Sequence, residues 1–196
     1  MVKIQFWYDL ASSYSYLSAM RVEELAAGHG LEVEWKPFLL GPIFAAQGWT
    51  SSPFNLYPAK GRHMVRDMER VCAARGLPFR LPETFPQNSL QAARLALIGA
   101  EEGWGPAFSR ALFRLEFGEG ASLSDAAALA SALTAAGEDP QRQLPRTADP
   151  QVKERLKAQN DAAAALGIFG APSFVTADGE LFWGDDRLEQ AVHWRG

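Results

Sequence analysis

Strand-forming patterns sit only at the two ends of this chain, and nearly everything between them reads as helix. Residues 3–8 are a short run of aromatic and β-branched side chains, the pattern of a buried strand. Residues 31–38 alternate apolar and polar, the pattern of a half-buried one. Between them a helix is expected from Ser13 to Ala27, with Leu17, Met20, Val22, Leu25 and Ala26 on its inner face and His29-Gly30 as its stop. A crossover of this length favours parallel pairing of the two strands. At the other end, Ser173 to Trp183 reads as two short strands joined at Asp178-Gly179, a strong hairpin signal. A last helix is expected from Asp185-Asp186 to the C-terminus. The middle is irregular over 39–57, helical over 58–75, and broken by Gly76, Pro78, Pro82 and Pro86. Further helices are expected near 88–102, 105–117, 122–136 and 148–167.

The order is therefore β-α-β, a helical block, then α-β-β-α. Joining the ends predicts an α/β chain with one four-stranded sheet, the thioredoxin-like arrangement carrying a large helical insertion. The expected division is 1–40 and 148–196 for the sheet part and 41–147 for the insertion. No internal repeat or flexible linker interrupts it.

Composition narrows the function. Of 196 residues, 47% are hydrophobic and 21% charged, enough to build a core. The net charge of −4 argues against a nucleic-acid partner, which needs a basic face. No apolar run approaches the length of a membrane span, and the first residues do not read as a signal peptide. The single cysteine, Cys72, allows no internal disulfide. Together these features lead to the expectation of a cytoplasmic protein.

In a thioredoxin-like chain the reactive group sits where the first strand meets the first helix. Redox chemistry there needs a Cys-x-x-Cys pair. This chain has Ala11-Ser12-Ser13-Tyr14-Ser15 instead, so dithiol exchange is impossible at that place. A hydroxyl at a helix start suits an anion such as a ligand's thiolate, and it equally suits simple N-capping. Gly170-Ala171-Pro172 precedes a strand and could present the Ala171 backbone to an extended ligand if its X–Pro bond is cis; an ordinary trans proline is the plainer reading. Asp185 and Asp186 are placed to cap the last helix, or to receive a ligand's ammonium group. His29, His63 and His193 are scattered, and no metal site is expected from their spacing. Lys60, Arg62, Arg66 and Arg70 make a stripe interrupted by Asp67 and Glu69, which reads as a solvated face, and Cys72 reads as a core thiol.

Five segments then stand in a specific order: Tyr8-Asp9-x-x-Ser12-x-x-Ser15-Tyr16, Pro53-x-Asn55-x-x-Pro58-Ala59-Lys60, Phe85-Pro86-x-Asn88-Ser89, Gly170-Ala171-Pro172 and Trp183-Gly184-x-Asp186-Arg187. In these the whole chain resembles the 2-hydroxychromene-2-carboxylate isomerases, which are related to kappa-class glutathione transferases and to DsbA-type oxidoreductases. The resemblance implies glutathione as cofactor and Ser12 as the catalytic serine contacting its sulfur. It implies that Ala171, before a cis Pro172, pairs with the cysteinyl unit, and that Trp183, Asp185 and Asp186 hold the γ-glutamyl end. Asn55 and Asn88 match positions lining the glutathione or substrate side. Relatives often have proline where this chain has Ser13, and asparagine or serine where it has Asp185.

The implied reaction is a cis-trans isomerisation of a ring-opened aromatic acid through reversible addition of the glutathione thiolate. Trp49 and Phe44 are expected in the apolar wall, with Lys60 or Arg94 meeting the substrate carboxylate. A homodimer is expected from the relatives. A glutathione transferase or peroxidase on the same scaffold, and a non-catalytic binding module, are the competing functions.

Overall fold

The computed structural model describes residues 2–196. Strand β1 (Val2–Tyr8) lies at the centre of a four-stranded sheet of order β2-β1-β3-β4. It pairs in parallel with β2 (Leu31–Pro37), from Val2 opposite Leu31 to Tyr8 opposite Pro37. On its other edge it pairs antiparallel with β3 (Ser173–Val175), which pairs antiparallel with β4 (Leu181–Trp183). The β3–β4 hairpin turns at Gly179, whose φ of +90° explains the glycine there.

The side chains of β1 alternate between two packed layers. Ile4, Phe6 and Tyr8 face a core shared with helices α1 (Ser13–Ala19), α2 (Val22–Gly28), α6 (Leu90–Glu102), α7 (Gly105–Phe113) and α8 (Ala126–Ala135). Trp7 faces the opposite side, with Phe38, Ile43, Ala163, Ile168 and Val175. There the cover comes from α3 (Leu40–Ala46) and α10 (Pro150–Ala165). The helical block also contains α4 (Pro53–Leu56), α5 (Pro58–Arg75) and α9 (Pro140–Gln143), and α11 (Leu188–His193) closes the chain.

Several boundaries differ from the sequence-based expectation. The first helix is two, broken at Met20-Arg21, where Arg21 has φ −138° and ψ −12° and its side chain reaches Asp185, 164 positions away. The irregular stretch 39–57 contains α3 and α4. Helix 105–117 is α-helical only to Phe113 and widens into a π-helical turn over Arg114–Glu119. The helix expected from 148 starts at Pro150, capped by the Asp149 side chain, after a 3₁₀ turn over Leu144–Ala148. The last helix is short: Asp185–Arg187 form a 3₁₀ turn and α11 ends at His193. Cys72 is buried in the core, and Arg66 and Arg70 pair with Glu69 and Asp67 along the exposed face of α5.

Candidate active site

The sheet register assembles the site. Trp7 on β1 lies opposite Ser173 on β3, so the end of β1 and the start of β3 are side by side. One segment continues through Asp9–Ala11 to Ser12, and the other arrives through Gly170, Ala171 and Pro172. The Ala171-Pro172 bond is cis. Ser12 is the N-cap of α1: its Oγ accepts from the Ser15 backbone N–H at 3.2 Å. The same hydroxyl donates to the Ala171 carbonyl at 3.1 Å. The capping contact and the contact to the Ala171 loop thus fall on one atom. Helix α1 spans only seven residues, so the local N–H groups of its first turn, and not a long helix dipole, set the field at Ser12.

The β3–β4 pairing brings a third segment in. Gly184 N–H donates to the Pro172 carbonyl at 2.9 Å, which fixes the residues after β4 beside the Ala171-Pro172 loop. Trp183 is 52% exposed, and its ring lies 4.9 Å from that of Phe169. A Cβ on Gly170 would stand 2.3 Å from the Trp183 Nε1, so only glycine lets the indole lie over this loop.

The two aspartates expected to hold a ligand are placed very differently. The Asp185 side chain is only 7% exposed. It accepts from Ser18 Oγ at 2.9 Å, Arg21 Nε at 3.3 Å and Arg75 Nη2 at 2.7 Å. Its carboxylate is turned into the protein, where it ties α1, the α1–α2 break and the end of α5 to the last turn. Asp186 points outward, 74% exposed, paired with Arg187 at 2.9 Å. Its charge, with that of Asp67, acts on the Tyr14 hydroxyl, which donates to Asp67 at 2.9 Å and is held well above the usual phenol range, first by burial. Asp67 thereby joins Asp186 in the acidic surroundings of Tyr14, although its sequence context reads only as a break in a basic stripe.

The remaining expected site residues keep local partners. Asn55, on α4, donates to Ser51 Oγ. Lys60, in the first turn of α5, sits over the Tyr57 ring at 4.8 Å. Trp49 packs on Phe44 at 5.4 Å. Asn88 accepts from Leu90 N–H and lines a cavity of about 340 Å³ together with Arg94 and Lys153. The lining of that cavity does not include Ser12 or Ala171.

Beneath the site lies a buried acidic arrangement that sequence reasoning did not assign. Asp9 accepts from Ala11 N–H (2.9 Å), Leu40 N–H (2.7 Å) and Ser89 Oγ (2.6 Å). It pins the Ser12 loop to the starts of α3 and α6. Burial raises its carboxyl above the usual range, against the pull of those three donors. Glu116, on the π-helical turn, is fully buried and pushed well above the ordinary carboxylate range, first by burial and then by the Asp9 charge. Its Oε1 accepts from Gln87, while Oε2 has no partner among the described residues. The only sequence hint of either role is an acidic residue set among apolar neighbours.

The family description that matches is the DSBA-like thioredoxin domain, over residues 3–193. The chain belongs to this family. Its curated relatives include 2-hydroxychromene-2-carboxylate isomerase from Sphingobium xenophagum, 27% identical and covering 95% of this chain and 94% of that protein. They also include human glutathione S-transferase kappa 1, 27% identical, covering 98% of this chain and 90% of that protein. A solved structure of 2-hydroxychromene-2-carboxylate isomerase superposes with a TM-score of 0.86 at 24% identity, covering 96% of this chain and 91% of the other, and shares the fold. Among the described residues no helix is long and apolar enough to cross a membrane.

Proposed function

We propose that the protein is a glutathione-dependent isomerase of the 2-hydroxychromene-2-carboxylate type, acting on a conjugated acid from aromatic-ring cleavage or a related compound. The observation that carries this reading is the Ser12 hydroxyl held against the Ala171 carbonyl, where a thioredoxin-like redox protein would carry a thiol. The groups at hand suit a γ-glutamyl tripeptide. The Ser12 hydroxyl has a proton free to rotate from Ala171 to a sulfur. The Ala171 backbone offers strand-like pairing, the Trp183 ring an exposed face, and Asp186 a solvent-facing carboxylate for an ammonium group.

Glutathione bound here would supply a thiolate that adds to a conjugated carbon and pushes the π electron pair onto the conjugated carbonyl, and after rotation about the resulting single bond the pair would return and expel the thiolate. Ser12 favours the ionised sulfur by hydrogen bonding to it. Asp186 anchors the γ-glutamyl end, and Asp185 holds the segment bearing Asp186 in place. Asp9 holds the Ser12 loop against α3 and α6, keeping the hydroxyl positioned. By the family resemblance the Phe44–Trp49 pair would serve as an apolar wall, Asn55 would lie on the glutathione side and Lys60 would meet the substrate carboxylate, each moving from the local partner it has here. The kappa-class relative supports a second reading on the same site, a transferase that releases stable conjugates.

The test is calorimetric titration of glutathione into wild type and Ser12→Ala, with thiolate absorbance followed near 240 nm. Binding whose thiolate signal weakens in Ser12→Ala is expected. No binding by wild type at millimolar glutathione removes both readings and leaves a non-catalytic module. Turnover without loss of free glutathione separates isomerase from transferase.

A further inference from the structure

We propose that His29 and His193 together bind a divalent transition-metal cation of the zinc, nickel or copper(II) class. The inference is independent of the glutathione reading. The two residues are 164 positions apart in sequence, so no spacing rule reveals them as a pair. The fold sets the ends of α2 and α11 side by side. His29 is the C-cap of α2, and its Nδ1 lies 2.8 Å from the Leu25 carbonyl. His193 is the last residue of α11, and its Nδ1 lies 2.5 Å from the Glu189 carbonyl. A carbonyl oxygen only accepts, so each Nδ1 carries the ring proton. A ring of this tautomer offers its Nε2 lone pair to a ligand.

Those two Nε2 atoms are 2.9 Å apart, with ring centroids at 4.1 Å. Two unprotonated nitrogens at that distance repel, and the contact is relieved either by one proton shared as Nε2–H···Nε2 or by a metal ion drawn between the two rings. Nε2 directed at an ion while Nδ1–H rests on a backbone carbonyl is the usual outer-shell arrangement of metal-ligating histidines. Imidazole suits zinc, copper and nickel and is a poor partner for magnesium. With metal–nitrogen bonds of about 2.0–2.1 Å, tetrahedral geometry places the two nitrogens about 3.4 Å apart. Small rotations of two solvent-accessible rings supply the difference.

No cluster of three or more histidine, cysteine, aspartate or glutamate ligands occurs among the described residues, so water completes the shell. The affinity is therefore that of an open two-histidine site, weaker than a closed structural one. The bound ion would tie α2 to α11. It would add to the clamp at the other end of α2, where Arg21 holds the Asp185 carbonyl and the Glu189 carboxylate.

The test is calorimetry and thermal unfolding of the full chain with zinc or nickel chloride, with magnesium chloride as the hard-ion control. The variants are His29→Gln, His193→Gln and His63→Gln, the last altering the exposed histidine on α5. One ion per wild-type chain is expected, with an unfolding midpoint raised by about 5–10 °C at a hundredfold excess over Kd. Affinity should fall at least tenfold in His29→Gln and in His193→Gln, and stay unchanged in His63→Gln. Imidazole ¹⁵N spectra of wild type, which need no variant, should show both Nε2 resonances shifting on zinc addition and neither with magnesium. The proposal is overturned by absence of zinc or nickel binding at millimolar concentration, by wild-type affinity retained in His29→Gln or His193→Gln, or by unshifted Nε2 resonances.

Discussion

Replacing Asp185 by asparagine separates an internal support from a ligand contact. The carboxylate meets Ser18, Arg21 and Arg75, and the change keeps its shape while removing its charge. Breaking a fully buried ion pair costs about 3–5 kcal/mol. Here the side chains of Arg21 and Arg75 are 18% and 30% exposed, so water partly compensates them and the amide can still accept one bond. A cost of about 2–3 kcal/mol follows. For a chain of this length each kcal/mol moves the midpoint by roughly 2–4 °C, so calorimetric unfolding of Asp185→Asn should show a fall of about 4–12 °C. Asp186→Asn is the companion. Its partner Arg187 is exposed, and a surface pair of this kind is worth about 0–1 kcal/mol, so the midpoint should barely move. Glutathione affinity should respond in the opposite order, with a loss of tenfold or more in Asp186→Asn and little change in Asp185→Asn at temperatures where it is folded. An unchanged midpoint in Asp185→Asn, or an equal drop in Asp186→Asn, would refute this division of labour.

Asp9→Ala removes the acceptor for two backbone N–H groups and a serine hydroxyl and should cost about 2–5 kcal/mol in urea unfolding; a loss below 1 kcal/mol would mean that the loop holds itself. Glu116 has a carboxyl raised in the folded state, so its contribution to stability is present below the ordinary carboxylate range and is lost as pH rises through the folded value. Glu116→Gln should therefore gain stability over wild type at pH 8 relative to pH 5, by about 1–3 kcal/mol, and a gain that does not grow with pH would contradict the assignment. Gly170→Ala drives a methyl into Trp183, so tryptophan fluorescence should shift and glutathione affinity fall several-fold; unchanged affinity would remove Trp183 from the site.

Local pattern alone determines much of this protein. The alternation in 31–38, the aromatic run in 3–8 and the Asp178-Gly179 turn place the strands, because strand periodicity and turn chemistry act over a few neighbouring residues. The absence of cysteine beside Ser12 excludes dithiol chemistry at that place by composition alone. Tertiary structure decides what depends on partners far away in the chain. The break at Met20-Arg21 has no local breaker; it accompanies the Arg21 contacts with Asp185 and Glu189. Asp185 and Asp186 are identical and adjacent in sequence, yet one is buried against two arginines and the other faces water, because neighbouring residues in a tight turn point in different directions. Asp9 with Ser89, and His29 with His193, acquire meaning only when the sheet and the helix ends bring them within hydrogen-bond distance. Short-range propensity is written in the order of residues, whereas solvation and charge pairing are set by whatever the folded chain packs alongside.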